Sequence, residues 1–348
     1  MKDSPNEDGI SVIICCYNSE TRLKKTFAAI ANQIFNKAIK VEIILVDNAS
    51  TDNTSAYAEA YWQTVNSDIS LKIVKECKPG LANARKMGIE ESRYAFILFC
   101  DDDNWLFPNY INDVYYILKN NSEIGACGGM GIPQFETQKP YWFDEYAEAF
   151  AIGSQEIVRE NGQLLNLYGA GLAIRRVVLT KLAQANFSQT FNGRVANKLS
   201  SSEDTELTNA VVLAGYQLHF SENLKFYHYI PKERLTFAYL QKLFLAFGKD
   251  GPVRNLYYAY ISKRKSHSRI KNWYYHLLLS LIRLAKYSIY PPKKHGRLIY
   301  FNWSLAYIKE LIRIKKSYNL INYKISKLRG IATVGNENEC SASVNLAP

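Results

Sequence analysis

The sequence predicts an α/β fold, in which a mostly parallel sheet is flanked by helices, followed by a basic helical C-terminal region. Two patterns lead to this prediction. Short runs of apolar and β-branched residues alternate with segments whose apolar residues recur at helical spacing, which is typical of strand–helix–strand units. From about residue 237 onward, long helical segments rich in aromatic and basic residues replace the strand-like runs.

The first hundred residues contain four predicted strands with helices between them. The strand runs are ISVIICCYN (10–18), VEIILVDNAS (41–50), LKIVKE (71–76) and YAFILFC (94–100). The helical segments are 19–34, 50–62 and 80–92. Continuous hydrophobic strands of this kind are buried on both faces of a parallel sheet. Because ligands bind at the carboxyl ends of such strands, Tyr17–Asn18, Asp47–Asn48 and Asp101–Asp103 should converge at one edge.

Three consecutive aspartates, Asp101 to Asp103, follow the fourth strand. One interpretation is a solvated turn that ends the strand. The other is a cation site, because hard divalent cations allow carboxylates to cluster, and a cation held by oxygens can bridge a diphosphate. The sequence has no G-x-G-x-x-G after the first strand and no G-x-x-x-x-G-K-[ST], so the two common glycine-rich phosphate loops are excluded.

Charge is divided unevenly along the chain. Residues 231–348 hold 22 Lys and Arg against 5 Asp and Glu, whereas residues 1–230 hold 21 against 27. A basic C-terminal part of this kind favours an anionic surface, either phospholipid or nucleic acid. Its segments 272–292 and 298–318 are basic, aromatic and amphipathic, which suits the plane of an anionic membrane; the alternative is a helical subdomain packed on the core.

The location of the protein is predicted from what its sequence lacks. The opening MKDSPNEDGI is polar and acidic, unlike a secretory signal, and no apolar stretch reaches the ~18 residues of a spanning helix. The six cysteines form no C-x-x-C pair and no zinc-type spacing, which indicates a reducing compartment. We therefore expect a cytoplasmic protein, peripheral on the inner face of the plasma membrane.

Seven segments carry a resemblance to a known family. They are VIICCYNSE (12–20), EIILVDNASTDNT (42–54), KPGLANARKMGI (78–89), FCDDDNWLFPNY (99–110), GAGLAIRR (169–176), SSEDTELTNAVVLAGY (201–216) and FYHYIPKERLT (226–236). In this order they resemble glycosyltransferase family 2, whose members have the Rossmann-like GT-A fold.

The resemblance implies a division of the chain. It covers residues 9–236, with a nucleotide-binding half at 9–110 and an acceptor-binding half at 111–236. Beyond the resemblance, the sequence pattern predicts a basic amphipathic helical region at 237–333 and a disordered tail at 334–348.

The resemblance also implies a set of residues that bind a nucleotide-sugar donor. Tyr17 would stack on the base, with Asn18 beside it; the alternative for Tyr17 is a core aromatic at a strand end. Asp47 would accept hydrogen bonds from the base; the alternative is capping of the following helix. Arg85 would approach the nucleotide or the diphosphate; the alternative is a solvated helix face.

The three aspartates become the D-x-D motif of the family. Asp101 would contact the ribose and Asp103 would ligate Mn²⁺ or Mg²⁺, while Asp102 would contribute to either. His228 matches a metal-binding histidine of many GT-A enzymes, although a lone histidine is more often a core or surface residue. Both metals take oxygen ligands, and an imidazole favours Mn²⁺ slightly.

Two further pairs complete the implied site. Lys232 and Arg234, in the loop HYIPKERLT, would clamp the diphosphate leaving group. Glu203 and Asp204 resemble the E-D pair of the family; the alternative is an acidic first turn that the helix dipole favours. Asp204 would be the general base for the acceptor hydroxyl, whose pKa lies far above 7, and Glu203 would orient the acceptor.

The acceptor side offers fewer signals. Trp142 and Tyr168 lie near glycine-rich segments and would stack on a sugar ring; the alternative is ordinary packing. The Q-x-x-R-W motif of processive synthases is absent, which favours the transfer of a single sugar.

We therefore predict an inverting, metal-dependent glycosyltransferase. A UDP-sugar is the expected donor, and a glycan or lipid-linked molecule is the expected acceptor. An anionic membrane is a further expected partner, and nucleic acid is not. A sugar nucleotidyltransferase is the first alternative, although the glycines of its early loop are missing from residues 9–25. A nucleic-acid-binding protein is the second, although it leaves the strand-end carboxylates unexplained.

Overall fold

The computed structural model describes residues 7–155, 159–160, 163–191, 202–262, 272–293 and 296–331. The predicted disordered tail, 334–348, lies outside the described residues. The strands are β1 (Glu7–Cys16), β2 (Val41–Asp47), β3 (Ser70–Lys75), β4 (Tyr94–Asp101), β5 (Asn104–Leu106), β6 (Ile124–Phe135), β7 (Arg159–Glu160), β8 (Gln163–Leu164), β9 (Ala173–Arg175) and β10 (Gln217–Ile230).

Helices flank these strands and continue beyond them. The α-helices are α1 (Leu23–Ala31), α2 (Thr54–Thr64), α3 (Leu81–Glu91), α4 (Tyr110–Asn120), α5 (Arg176–Gln184), α6 (Glu203–Leu213), α7 (Phe237–Ile261), α8 (Trp273–Ile289), α9 (Arg297–Arg313) and α10 (Tyr318–Ser326). Two 3₁₀ helices occupy Phe143–Phe150 and Lys232–Arg234.

The central sheet has eight strands in the order β3–β2–β1–β4–β9–β6–β10–β5. The strands β1 to β4 pair in parallel, which is the predicted strand–helix–strand half. The short β9 is antiparallel to both β4 and β6, and β5 is antiparallel to β10, so the second half of the sheet is mixed. The α/β prediction is confirmed.

The strand β1 shows why the sheet is buried on both faces. Ile10, Val12 and Ile14 belong to the cluster that packs against α1, whereas Ile13 belongs to the cluster on the opposite face. All four side chains are fully buried. Since alternate residues of a strand point to opposite faces, a continuous apolar run is required to fill both layers.

The C-terminal helices pack on the core to different extents. Val253 and Leu256 of α7, with Tyr307 and Leu311 of α9, join the same buried cluster as β1 and β4. This matches the alternative of a helical subdomain packed on the core. The helix α8 differs, because its buried residues are a histidine and a serine while most of its leucines are exposed. Within the described segments, no helix combines the length and apolarity needed to cross a bilayer.

Candidate active site

A pocket with a cavity volume of about 770 Å³ opens at the carboxyl ends of β1 and β4. The predicted residues that line it are Tyr17, Arg85, Asp101, Asp102, Asp103, Glu203, Asp204, His228 and Arg234. They come from sequence segments more than two hundred residues apart. The carboxyl ends of the strands, the start of α6 and the end of β10 therefore meet around one cavity, where a parallel sheet is expected to bind its ligand.

The carboxylate of Asp102 is held by the chain that follows β1. It accepts hydrogen bonds from the Ser19 hydroxyl and from Nε and Nη2 of Arg22, at 3.1 and 2.6 Å for the arginine. Burial, together with the neighbouring Asp103 charge, raises the pKa of Asp102, whereas Arg22 and Ser19 oppose that rise. Asp102 therefore fixes the β1–α1 loop against the end of β4. Arg22 had no distinctive signal in the sequence beyond its place after the first strand.

Asp103 and His228 lie side by side in the pocket. Oδ1 of Asp103 is 3.7 Å from Nε2 of His228, and Oδ2 accepts a hydrogen bond from Nη1 of Arg234 at 3.1 Å. The pairing of β5 with β10 sets this arrangement, because it places His228 opposite Asn104. Asp103 and His228 are 6% and 9% exposed, so the charge on Asp103 interacts strongly with its neighbours.

These two side chains fit part of a divalent cation site. A carboxylate and an imidazole are ligands that Mn²⁺ accepts, and both face the pocket. The described part of the chain contains no group of three or more His, Cys, Asp and Glu side chains that could hold a metal ion. A cation here would therefore take its remaining ligands from a bound molecule or from water.

Arg85 reaches the pocket from α3 and is 4% exposed. Its guanidinium lies 5.0 Å from the centre of the Phe99 ring, and its Nη1 atom has no hydrogen-bond partner among the described residues. Burial lowers the pKa of Arg85, but the carboxylates of Asp101, Glu203 and Asp204 more than compensate and raise it. A buried, charged donor that lines a pocket is suited to an anionic or hydroxyl-bearing ligand. The alternative of a solvated helix face is wrong.

Asp204 stands in the first turn of α6 and points into the same pocket. Its Oδ2 accepts from the Gly169 N–H at 2.8 Å and its Oδ1 from the Thr205 N–H at 2.6 Å. Burial raises the pKa of Asp204, against the lowering influence of Arg85 and of these N–H groups. A raised pKa makes the carboxylate a stronger base, which is the property that proton abstraction requires. Glu203, beside it, is 6% exposed.

Two predicted donor residues, Asn18 and Asp47, are held by strand-end loops and do not line the pocket. Asn18 has a left-handed backbone (φ 50°), and its Oδ1 accepts from the Thr51 N–H at 2.8 Å, which ties two strand-end loops together. Asp47 accepts from the Ser50 N–H and the Ser55 hydroxyl, as an N-terminal anchor for α2 would, although Asn53 is the capping residue. Neither residue is part of the pocket lining.

Of the remaining predicted residues, Tyr17 and Tyr168 line the pocket, whereas Lys232 and Trp142 do not. Lys232 is exposed and outside the lining, and its N–H donates to Glu136. Tyr17 is 46% exposed at the pocket, so the core-aromatic alternative is wrong. Trp142 is 4% exposed within a cluster of phenylalanine rings, which is ordinary packing, whereas Tyr168 lines the pocket.

The sequence interpretation missed a second wall of the pocket. It is formed by α7 and α9, through Tyr239, Leu243, Phe244, Phe247, Arg254, Tyr258, Tyr300 and Trp303. The helical spacing of these residues looks the same whether a helix faces solvent, membrane or a cavity, so no local signal marked them.

Strand ends that gather carboxylates around one pocket are the arrangement that the resemblance to glycosyltransferase family 2 led us to expect. The model of glycosyl transferase family 2 matches residues 11–183, and the chain belongs to this family. The predicted family is therefore confirmed.

Curated relatives match only in part. The putative glycosyltransferase EpsH of Bacillus subtilis (strain 168) is 29% identical over 118 residues, covering 34% of this chain and 33% of that protein. The minor teichoic acid biosynthesis protein GgaA of the same organism is 26% identical over 173 residues, covering 49% and 38%. The poly(ribitol-phosphate) beta-N-acetylglucosaminyltransferase TarS of Staphylococcus aureus (strain Mu50 / ATCC 700699) is 28% identical over 130 residues, covering 36% and 22%. The chain thus matches well under half the length of these relatives.

Solved structures share the fold along nearly the whole chain. The mannosyltransferase PcManGT from Pyrobaculum calidifontis, in complex with GDP-Man and Mn²⁺, has a TM-score of 0.54 at 15% identity, covering 97% of this chain and 89% of that one. S. aureus TarS 1-349 in complex with UDP-GlcNAc has a TM-score of 0.52 at 17% identity, covering 95% and 92%. The GT-A fold is confirmed.

Proposed function

We propose that this chain transfers one sugar from a nucleotide-diphosphate sugar to a hydroxyl of a glycan or lipid-linked acceptor, with inversion. One observation carries the proposal. A single pocket holds the D-x-D carboxylates, the buried Arg85 guanidinium and the Asp204 carboxylate. Cationic groups for a leaving diphosphate and a base for an incoming hydroxyl are what such a transfer needs.

The donor would lie along the ends of β1 and β4. Tyr17 offers an exposed ring for the base, and Arg22 and Arg234 offer guanidinium groups for the diphosphate. Relatives of the same fold have been solved with UDP-GlcNAc and with GDP-Man, so a nucleotide-sugar is the donor class, and we propose a UDP-sugar first. Arginine is suited to this role because its planar fork matches phosphate oxygens.

A divalent cation would be held by Asp103 and His228, with further ligands from the donor. When bound, Mn²⁺ or Mg²⁺ neutralises charge on the departing diphosphate. The protein's own part is to present Oδ1 of Asp103 beside Nε2 of His228, while Arg234 occupies the other oxygen. The PcManGT complex contains Mn²⁺, which supports the choice of metal class.

The acceptor hydroxyl would give its proton to Asp204. The hydroxyl oxygen attacks C1 of the sugar from the face opposite the diphosphate. The bond from C1 to the phosphate oxygen breaks, and its electron pair leaves with the nucleoside diphosphate. The Gly169 and Thr205 N–H groups hold the carboxylate in place, which fixes the direction of attack. A single displacement inverts the configuration at C1.

The helix α8 would hold the protein on an anionic membrane. Its exposed apolar residues include Leu278, Leu281 and Ile282, which are 56%, 48% and 56% exposed. Residues 272–331 hold 12 Lys and Arg and one acidic residue, Glu310. An apolar helix face within so basic a region matches the interface of an anionic bilayer.

A thermal-shift screen of nucleotide-sugars, with and without Mn²⁺, tests the proposal. Ligand at about 100 times its Kd adds about 2.7 kcal/mol, which raises Tm by several degrees. The matching sugar should need Mn²⁺ for its full shift, and the variant Asp103→Asn should lose the Mn²⁺-dependent part. The exposed Asp68→Asn is the matched control. The absence of a shift with every nucleotide-sugar contradicts the proposal, and an unchanged shift in chelator contradicts the cation.

A further inference from the structure

The pocket extends well beyond the proposed donor site into a region that we call the aromatic lobe. Its lining side chains are Tyr239, Leu243, Phe244 and Phe247 of α7 with Tyr300 and Trp303 of α9. All except Leu243 are half-buried, so their rings are in contact with both the protein and the cavity. The lobe and the Asp204 carboxylate belong to one continuous cavity.

The rings of the aromatic lobe support one another. The Phe244 ring meets Phe247, Tyr300 and Tyr146 edge-on, with ring centres 5.5–5.6 Å apart. Edge-on contacts of this kind fix the rings in place. The result is a wall made mainly of aromatic rings that borders the cavity. The donor site proposed at the ends of β1 and β4 does not use this wall, so it is left for another part of the substrate.

A cation lines the same cavity as the aromatic lobe and the proposed base. Arg254 of α7 is half-buried, lines the pocket, and makes no hydrogen bond or ion pair with the residues that the structure describes. Tyr258, one helical turn further along α7, lines the same pocket as Arg254 and Asp204. Because arginine forms strong hydrogen bonds with anionic groups, a carboxylate or phosphate of a bound ligand is a suitable partner for Arg254.

The outer side of the aromatic lobe rests on α8. The Tyr300 ring packs against Tyr287 of α8 at 5.5 Å, and the Trp303 ring lies 5.2 Å from the Arg283 guanidinium of the same helix. The opposite face of α8 carries exposed Leu281 and Ile282. The lobe thus packs against the helix whose other face presents exposed apolar residues.

We propose that the aromatic lobe binds the apolar chain of a lipid-linked acceptor, with Arg254 facing the phosphate next to that chain. The inference rests on the proposed function, because it places the acceptor hydroxyl at Asp204. It selects the lipid-linked class from the two acceptor classes named above. A soluble glycan that stacks on the rings is the competing occupant.

Binding of alkyl phosphates to the full chain tests the proposal without any substitution. In a calorimetric series from butyl to decyl phosphate, each methylene that enters the aromatic lobe should tighten binding by up to about fourfold. Inorganic phosphate should bind far more weakly than decyl phosphate. An affinity that does not depend on chain length, or that inorganic phosphate equals, overturns the proposal. Tighter binding of a soluble glucan oligomer than of decyl phosphate also overturns it.

Two variants, a control variant and a photolabelling experiment locate the site at which alkyl phosphates bind. Phe247→Ser should weaken decyl phosphate binding at least about tenfold, while Leu320→Ser, an exposed residue of α10 outside the pocket, should leave it unchanged. Arg254→Gln, which breaks no described contact, should weaken decyl phosphate about tenfold but leave decanol unchanged. A decyl phosphate with a terminal diazirine should label peptides of α7 and α9. Labelling confined to the outer face of α8 overturns the proposal.

The same preparation must also be titrated with the nucleotide-sugars of the thermal-shift screen. Nucleotide-sugar binding together with flat alkyl phosphate binding overturns the aromatic-lobe proposal alone. A preparation that binds no nucleotide-sugar overturns the proposed function, and the acceptor inference with it.

Discussion

Replacing Asp204 by asparagine isolates the proposed base from the rest of the pocket. The substitution keeps the size of the side chain but removes its negative charge and one of its two acceptor oxygens. In the structure both oxygens are used, Oδ2 by the Gly169 N–H and Oδ1 by the Thr205 N–H. Asparagine can satisfy one of these donors with its oxygen, but its NH₂ group must then face the other.

Two magnitudes follow from this geometry. A buried N–H that loses its acceptor costs about 1–3 kcal/mol, so the free energy of unfolding should fall by that amount. A positioned general base contributes about 10²–10⁴-fold to the rate, so kcat for sugar transfer should fall by that factor. Donor binding should change little, because Asp102, Asp103, Arg22 and Arg234 are untouched.

The pH profile separates a base from a merely structural residue. Burial raises the pKa of Asp204, and a base acts only when ionised, so the wild-type rate should fall on the acid side at a higher pH than an ordinary aspartate gives. Asp204→Asn should lack this acid limb. The assay measures nucleoside diphosphate release and product formation, with urea denaturation alongside and Asp68→Asn as the control. Near-normal turnover in Asp204→Asn refutes the base assignment.

The remaining predictions concern stability, membrane binding and packing. Burial raises the pKa of Glu206 from 4.5 in the unfolded chain to about 7 in the folded one. Between these two pH values the folded chain keeps a proton on Glu206 that the unfolded chain has lost. The free energy of unfolding should therefore fall by about 3 kcal/mol as pH rises from 4.5 to 7. Glu206→Gln should remove that fall in urea denaturation at pH 5 and pH 8. Leu281→Ser combined with Ile282→Ser should weaken sedimentation with phosphatidylglycerol vesicles at least about tenfold. Gly169→Ala places a Cβ 2.7 Å from Nη2 of Arg85, and the displacement should lower kcat about 10²-fold.

Each of these predictions has a result that contradicts it. A wild-type unfolding free energy that is equal at pH 5 and pH 8 contradicts the assignment for Glu206. Vesicle binding that survives in the α8 variant, or that Leu320→Ser removes equally, excludes α8 as the contact. Normal turnover in Gly169→Ala contradicts the third prediction, because the Arg85 side chain can then move away from the new methyl group without loss of activity.

Much of the fold of residues 9–110 was predictable, because its strands are continuous apolar runs that only a doubly covered sheet explains. The same argument placed polar clusters at the carboxyl ends of β1, β2 and β4. It gave the position of each backbone segment but not the direction of each side chain. Asp47 ends its strand as predicted, yet its carboxylate turns to Ser50 and Ser55 of its own loop. That choice depends on local hydrogen bonds that the apolar pattern does not encode.

By itself, the sequence determined the layered α/β fold, the sheet edge at which polar residues gather, and the basic character of the C-terminal helices. These features depend on periodicity and composition, which are local. The tertiary structure alone decided that Arg85 is buried among carboxylates, that Arg22 holds Asp102, and that α7 and α9 line the pocket. Contacts between distant segments arise from how the layers pack, and an amphipathic helix has the same pattern whichever surface its apolar face covers.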